Sequence, residues 1–342
     1  MSTRDFLVEI GTEELPPKAL ASLSKAFTSE ILAGLKKLQL GFADSESFAT
    51  PRRLALLVSG LDESQADKAV ERFGPAVQAA FDADGNATPA ALGFAKSCNV
   101  AIDQLQRAEK DGVEKLFYSA SQPGQPTSAL LSAIVSEALD KLPIPKRMRW
   151  GNSRAEFVRP VHWVIQLFGD EVVPGEFFGV TAGRESRGHR FHADRAIEID
   201  SPANYAALLE NQGHIIPQFD RRREMIRELV IAEGVKANAT SIIDEALLSE
   251  VASLVEYPVA LTGKFEEHYL EVPPEALILA MKSHQKTLLL RRCRGQTFAT
   301  VYRSEQYHKQ RPGTGNRGQR TRYSPAPSRR EFLFRNRQAS VA

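Results

Sequence analysis

The stretch DFLVEIGTEELPPKALASLSKAFTSEILAGLKKLQL, residues 5–40, decides the fold class. Phe6, Val8 and Ile10 share one face of a short strand, and Gly11-Thr12 breaks the run. After Pro16-Pro17, apolar residues recur at Leu20, Leu23, Phe27, Ile31, Leu35 and Leu38. Steps of three or four predict an amphipathic helix with one buried face. Arg53-Leu54-Ala55-Leu56-Leu57-Val58 reads as a second strand that ends near Gly60. The strand–helix–strand order predicts a mixed sheet with a helix packed on it, within an α+β chain.

Outward from there, Asp82-Ala83-Asp84-Gly85-Asn86 is a turn cluster that lacks the bidentate Glu and ligand spacing of a calcium loop. Leu131, Ile134, Val135, Ala138 and Leu142 predict a helix within 127–142, and Pro143 and Pro145 break it. Between Phe157 and Val180, β-branched and aromatic residues with Gly169, Gly175 and Gly179 read as strands and turns. Helical spacing returns over 220–232 and 244–256, where Leu247, Leu248, Val251, Leu254 and Val255 form a stripe. Pro273 and Pro274 suit a helix start before Leu277, Ile278 and Met281. The expected organisation is multi-domain: an α+β region over 1–145, a β-rich basic segment over 146–200, a mainly helical segment over 201–286 and a tail over 287–342.

With 342 residues, 42% apolar and 25% charged, the chain can bury a sizeable core, which excludes collagen-like, purely coiled-coil and wholly disordered classes. No run approaches the roughly 20 apolar residues of a membrane span. Acidic residues come too early for a secretory signal, and two cysteines, Cys98 and Cys293, make no disulfide framework, so a cytoplasmic location is expected. The balanced net charge of +2 hides a seam. From Thr287 onward, twelve Arg and one Lys face two acids, a net +11, whereas the first 286 residues carry −9. A basic arm of this kind is compatible with a nucleic-acid tail, with a disordered solvated extension, or with an out-of-frame product.

Two patches suggest RNA contact. Lys146, Arg147, Arg149, Trp150, Arg154 and Arg159 lie within 18 residues that end in His162-Trp163, with Glu156 as the one acid. Arginine forks hold phosphates at two points and indole faces stack on unpaired bases. The alternative is that Trp150 and Trp163 are core aromatics and the arginines are paired. Arg187 and Arg190 stand beside Gly188 in a second basic turn, where glycine lets a backbone approach a phosphate. His189 and His192 are three residues apart, but no third ligand has metal-site spacing. Glu9, Glu13 and Glu14 are read as loop- or dipole-fixing acids, and Lys282, His284 and Lys286 as cations at a helix end. Gly-x-Ser-x-Gly, phosphate-loop and dinucleotide patterns are all missing, so no catalytic, metal or cofactor residue is assigned to this chain.

Leu7-Val8-Glu9-Ile10-Gly11-Thr12-Glu13-Glu14-Leu15-Pro16-Pro17 resembles the opening of the β subunit of bacterial heterotetrameric glycyl-tRNA synthetase. The resemblance runs on through Ala49-Thr50-Pro51-Arg52-Arg53-Leu54, Lys146 to Trp150, Phe157 to Trp163, Arg187 to Phe191, Glu271 to Glu275 and Met281 to Lys286. It implies an α2β2 class II ligase that joins glycine to its tRNA with ATP and magnesium. In that family α carries the adenylation and transfer site, while β engages tRNA and supports assembly. Arg154-Ala155-Glu156 looks like the Arg-x-Glu of class II motif 2, but no Gly-rich motif 3 accompanies it, so it receives no catalytic role. The resemblance is read as stopping at Lys286, where the charge shifts. This predicts a frameshift near codon 287, a disordered tail, and a truncated chain lacking the anticodon-binding domain the family implies. A stand-alone RNA-binding protein is the alternative.

Overall fold

The alternation at residues 6–10 belongs to a ten-residue strand, β1 (Thr3–Thr12), and both of its faces are buried. Phe6, Val8 and Ile10 enter one apolar cluster, while Leu7 enters a second on the opposite face. The computed structural model describes residues 2–82, 85–110, 112–152, 154–263, 273–292 and 297–302. Helix α1 (Pro17–Lys37) starts on a proline, whose fixed φ suits a first turn, and buries Leu20, Leu23, Phe27, Ile31 and Leu35. Each such side chain contributes roughly 1.5–3 kcal/mol on burial. The helix stops where Gln39 takes a left-handed φ of 58°. β2 (Asp44–Thr50) and β3 (Arg53–Asp62) follow as a hairpin, with β3 antiparallel to β1.

Residues 63–126 form an excursion that the sequence periodicity does not announce. It comprises β4 (Lys68–Ala76), α2 (Val77–Ala80), α3 (Pro89–Cys98), β5 (Gln106–Lys110) and β6 (Val113–Gln122), with strand order β4-β6-β5. Thr88 caps α3, its hydroxyl accepting the Ala91 N–H. The expected turn at 82–86 is there in its described part: the Asn86 N–H donates to Asp82 Oδ1 at 2.7 Å. Ala83 and Asp84 lie outside the described residues.

Helix α4 (Thr127–Asp140) lays Leu131, Ile134, Val135 and Ala138 beside α1 on the first face of the main sheet. Then come β7 (Met148–Arg149), β8 (Glu156–Phe157), β9 (Val161–Phe168), β10 (Glu171–Val172), β11 (Glu176–Phe177) and β12 (Val180–Gly183). Gly169 and Gly179, at φ 63° and 81°, make the turns that L side chains resist. The sheet runs β11-β12-β9-β1-β3-β2, with β10 on β9, and is mixed because β12 lies parallel to β9. β9, from the segment expected to stand apart over 146–200, is thus hydrogen-bonded along β1. β13 (Glu185–Arg187), β14 (Ala196–Glu198) and α5 (Tyr205–Gly213) cover the second face, where Leu7, Phe48, Ala55, Ile165, Leu167 and Leu209 meet.

The remainder contains α6 (Phe219–Lys236), β15 (Ala239–Ile242), α7 (Glu245–Ala252), β16 (Ala260–Gly263), α8 (Pro274–Ala280), β17 (Leu288–Arg292) and β18 (Thr297–Tyr302). Strand order is β15-β17-β18-β16. Asp244 caps α7 by accepting the Ala246 and Leu247 N–H groups. A π-helical turn, Met281–Gln285, follows α8 rather than a plain helix end. It is tied down by Lys282 to Asp244 at 3.1 Å and Lys286 to Glu250 at 2.9 Å. The tail does not begin at 287 as expected. Thr287, Leu288 and Leu290 are buried, and β17 pairs with β15 and β18, so apolar Leu288-Leu289-Leu290 serves as a core strand. The expected tail from 303 to 342 lies outside the described residues, as do Cys293 and Glu271-Val272. No helix among the described residues is long and apolar enough to cross a membrane.

Candidate functional site

The register of the main sheet creates the site. Gly11 lies opposite Arg53 on β3 and opposite Trp163 on β9, so the three form one row across the sheet. With no side chain at the middle position, Arg53 and Trp163 reach over it, the guanidinium 5.7 Å from the indole centroid. A Cβ on Gly11 would sit 1.9 Å from Trp163 Cε2. Gly11→Ala is therefore expected to displace the indole, cost about 1–3 kcal/mol by overpacking, and shift the tryptophan fluorescence. Denaturant titration read by emission checks it.

Glu9, two residues back on the same face, is fully buried. Its carboxylate accepts Trp163 Nε1–H at 2.6 Å and the Ser186 hydroxyl at 2.8 Å, with Arg53 Nη1 at 3.8 Å. Arg53 is also fully buried. It donates to the Arg187 carbonyl at 2.9 Å and to Glu256 at 3.4 Å, and Thr50 donates to that same Glu256 oxygen at 2.9 Å. Burial alone works against the charge of Arg53, yet Glu256 and Glu9 hold it protonated more firmly than usual. Burial also raises the Tyr205 phenol well above its ordinary range, with Glu9 adding to it.

Arg222, from α6, has no carboxylate within 4 Å among the described residues. It donates to the backbone carbonyls of Ala252 at 3.0 Å, Ile216 at 2.7 Å, Pro217 at 3.4 Å and Ala49 at 2.7 Å. Burial pushes its pKa down to about 10 against the pull of Glu256. One side chain thereby joins β2, the 216–217 loop, α6 and the end of α7.

Around the rim, Arg190 reaches Glu13 at 2.6 Å and Glu14 at 3.6 Å, and His162 reaches Glu13 at 3.1 Å. Burial would raise the Glu13 carboxyl, but Arg190 and His162 hold it below the usual carboxylate range. These acids fix the loop between β1 and α1, as expected for them. Burial also lowers His189 to about 4. Neutral near pH 7, its Nδ1 accepts the Phe191 and His192 N–H groups. Gly188 is required beside it, because a Cβ there would meet the Ala193 carbonyl oxygen at 2.1 Å.

The eight candidate residues differ in what their side chains hold. Arg147 caps the Asp140 carbonyl at the end of α4, Arg149 pairs with Glu156 at 2.5 Å, and Arg159 donates to the Glu14 carbonyl at 2.9 Å. Trp150 is half-buried against Phe178, and Trp163 is buried, so both indoles take the core-aromatic role. Lys146, Arg154 and Arg187 are exposed, and no carboxylate lies within 4 Å of them among the described residues. Arg190 alone of the eight belongs to the charged cluster by its side chain, and Arg187 by its carbonyl. No group of three or more His, Cys, Asp or Glu suited to a metal occurs among the described residues.

Four separated motifs therefore converge here: residues 9–14, 49–54, 157–163 and 187–191. The family described as glycyl-tRNA synthetase beta subunit matches residues 6–318. The chain belongs to that family. It is 53% identical over 286 residues to the glycine–tRNA ligase beta subunit of Hahella chejuensis, covering 84% of this chain and 41% of that protein. With the beta subunit of Chromohalobacter salexigens it shares 48% over 319 residues, and with that of Pseudomonas aeruginosa 49% over 319 residues. Those alignments cover 92% of this chain and 46% of each relative, so the chain spans under half their length. Family similarity also continues past Lys286, where the sequence reading ended it.

Ser186, Tyr205, Arg222 and Glu256 escaped the sequence reading. For Arg222 a signal existed. It precedes Ile226, Val230 and Gly234 at steps of four and shares their buried face. Glu256 had none, since it follows α7 in an irregular segment and its partners are 203 and 206 residues away.

Proposed function

We propose that this chain works in glycine–tRNA ligase as a non-catalytic β-type subunit that engages tRNA and supports assembly. The ATP- and magnesium-dependent, class II adenylation and transfer site would lie on an α subunit of a cytoplasmic α2β2 enzyme. Family membership is the observation that carries this reading. The chemistry of the charged cluster supports it. General acid–base work needs a group that can reach a reacting atom, whereas Glu9, Arg53 and Glu256 are buried and turned on one another or on structural donors. The cluster behaves as a scaffold that locks family motifs together.

The test is a pull-down of the chain with the α subunit, followed by glycylation of tRNA. The pair is expected to associate, and the chain alone to activate no glycine. Glycine activation by the chain alone would overturn the division of labour. Binding of tRNA without any α association would favour the stand-alone RNA-binding alternative.

A further inference from the structure

Arg52 differs from every other arginine of the cluster. Arg53 is held by Glu9 and Glu256, Arg190 by Glu13 and Glu14, and Arg222 by backbone carbonyls. Among the described residues the Arg52 guanidinium makes no hydrogen bond and has no carboxylate within 4 Å, and its buried Nε lacks a partner. Its plane is nevertheless positioned, 5.4 Å from the Trp163 ring. Burial lowers its pKa, the mark of a cation partly removed from water and not fully compensated. It lines a small half-open notch together with Glu14, Pro51, His189, Arg190, Phe191, Leu254 and Glu256, whose carboxylate is turned toward Arg53 and Thr50.

From that notch a chain of ring contacts runs through buried His189 to exposed His192, His214 and Tyr257. Phe191 stands 6.1 Å from His189, His189 4.5 Å from His192, His192 6.3 Å from His214, and His214 6.1 Å from Tyr257. Phe191 is 51% exposed, Tyr257 37% and the neighbouring Leu254 41%. Arg52 lines the notch, and exposed Arg187 and Arg195 stand in the adjoining turn, where Gly188 N–H bonds the Arg195 carbonyl and the Arg195 guanidinium donates to the Gln212 carbonyl. Among the described residues none of these three cations has a carboxylate within 4 Å, although Glu14 and Glu256 line the notch and Asp194 lies on the same turn.

We propose that the Phe191–Tyr257 row is a stacking platform for unpaired nucleotides of an RNA, with Arg52 receiving a phosphate at its Phe191 end. The exposed rings of Phe191, His192, His214 and Tyr257, each turned at its own angle and joined through buried His189, suit separate unstacked bases of single-stranded RNA, because every base offers a π face and every linkage a negative charge. A duplex hides those faces in its stack. An apolar peptide would leave Arg52 unmatched. The proposal rests on the reading that this chain engages tRNA and adds where it does so.

The test uses the 342-residue chain, whose net +11 C-terminal stretch attracts polyanions by charge alone, so the contrast between RNA forms is the readout. Affinities for a short single-stranded oligoribonucleotide and for a base-paired RNA hairpin stem are measured across a salt series. Phe191→Ser and Tyr257→Ser, both at exposed positions, are each expected to weaken single-strand binding about tenfold and to leave duplex binding unchanged. Arg52→Gln is expected to lower the single-strand salt slope by about one. Phe191→Ser and Tyr257→Ser proteins that stay folded and keep single-strand affinity, or lose both forms equally, overturn the platform. If they do so while wild-type chain still joins the α subunit and supports glycylation, the functional reading stands and only the site falls. If wild-type chain binds neither RNA nor α subunit, both fall.

Discussion

Arg53→Leu is expected to lower the stability of the folded chain by about 3–5 kcal/mol, the scale for breaking a buried pair by removing one partner. Arg53 is fully buried between Glu9 and Glu256 and satisfies the Arg187 carbonyl as well. Leucine fills part of the volume but leaves two carboxylates facing each other in a low-dielectric interior, along with an unsatisfied carbonyl. The same argument makes the loss non-additive. Adding Glu256→Gln to Arg53→Leu removes one of the stranded charges, so the double variant is expected to lose less than the two single losses summed. Denaturant midpoints of the four proteins check this. A loss below about 1 kcal/mol for Arg53→Leu would mean the cluster is held by packing and not by charge.

Arg222→Leu is expected to be comparably damaging for a different reason. No ion pair is broken. The carbonyls of Ala49, Ile216 and Ala252 lose the Arg222 donor, while that of Pro217 keeps the Ala49 N–H at 3.1 Å, and each buried acceptor left unsatisfied costs about 1–3 kcal/mol. Because those carbonyls belong to β2, the 216–217 loop and the end of α7, the break is expected to uncouple α6 and α7 from the main sheet. Hydrogen exchange should show lost protection over 219–252 while β1 and β3 stay protected. Uniform loss across the chain would instead make Arg222 part of a single cooperative unit. Arg222→Lys should fall between, since an ammonium offers three donors from one point and cannot span carbonyls on separate elements.

The contrast between these two arginines shows where sequence reading reaches and where it stops. The apolar steps from Leu20 to Leu35 predict α1 because helical periodicity is a local property, and the structure buries those residues. The same holds for Leu131 to Ala138 in α4 and for Leu247 to Val251 in α7. The sheet over 68–122 has apolar residues but buries few of them together, its cluster among the described residues being Ala80, Ala91 and Leu116, so no one-faced stripe marks it in the sequence. The charge shift at Thr287 puts Leu288-Leu289-Leu290 in the expected tail, yet charge reports on surface and backbone pairing on core. Basic residues over 146–159 looked like one binding patch, but the fold spends Arg147, Arg149 and Arg159 on a helix end, a hairpin carboxylate and a loop carbonyl.

By itself the sequence determined the α+β class, the principal helices and the family, since periodicity and long motifs are written in neighbouring residues. The tertiary structure alone decided which charges are buried together. Glu9, Arg53, Ser186 and Glu256 come from four distant segments, and an arginine's partner in a folded interior is set by strand register and layer packing. For the same reason, only the assembled fold distinguishes Arg52, which has no carboxylate within 4 Å among the described residues, from Arg53 beside it.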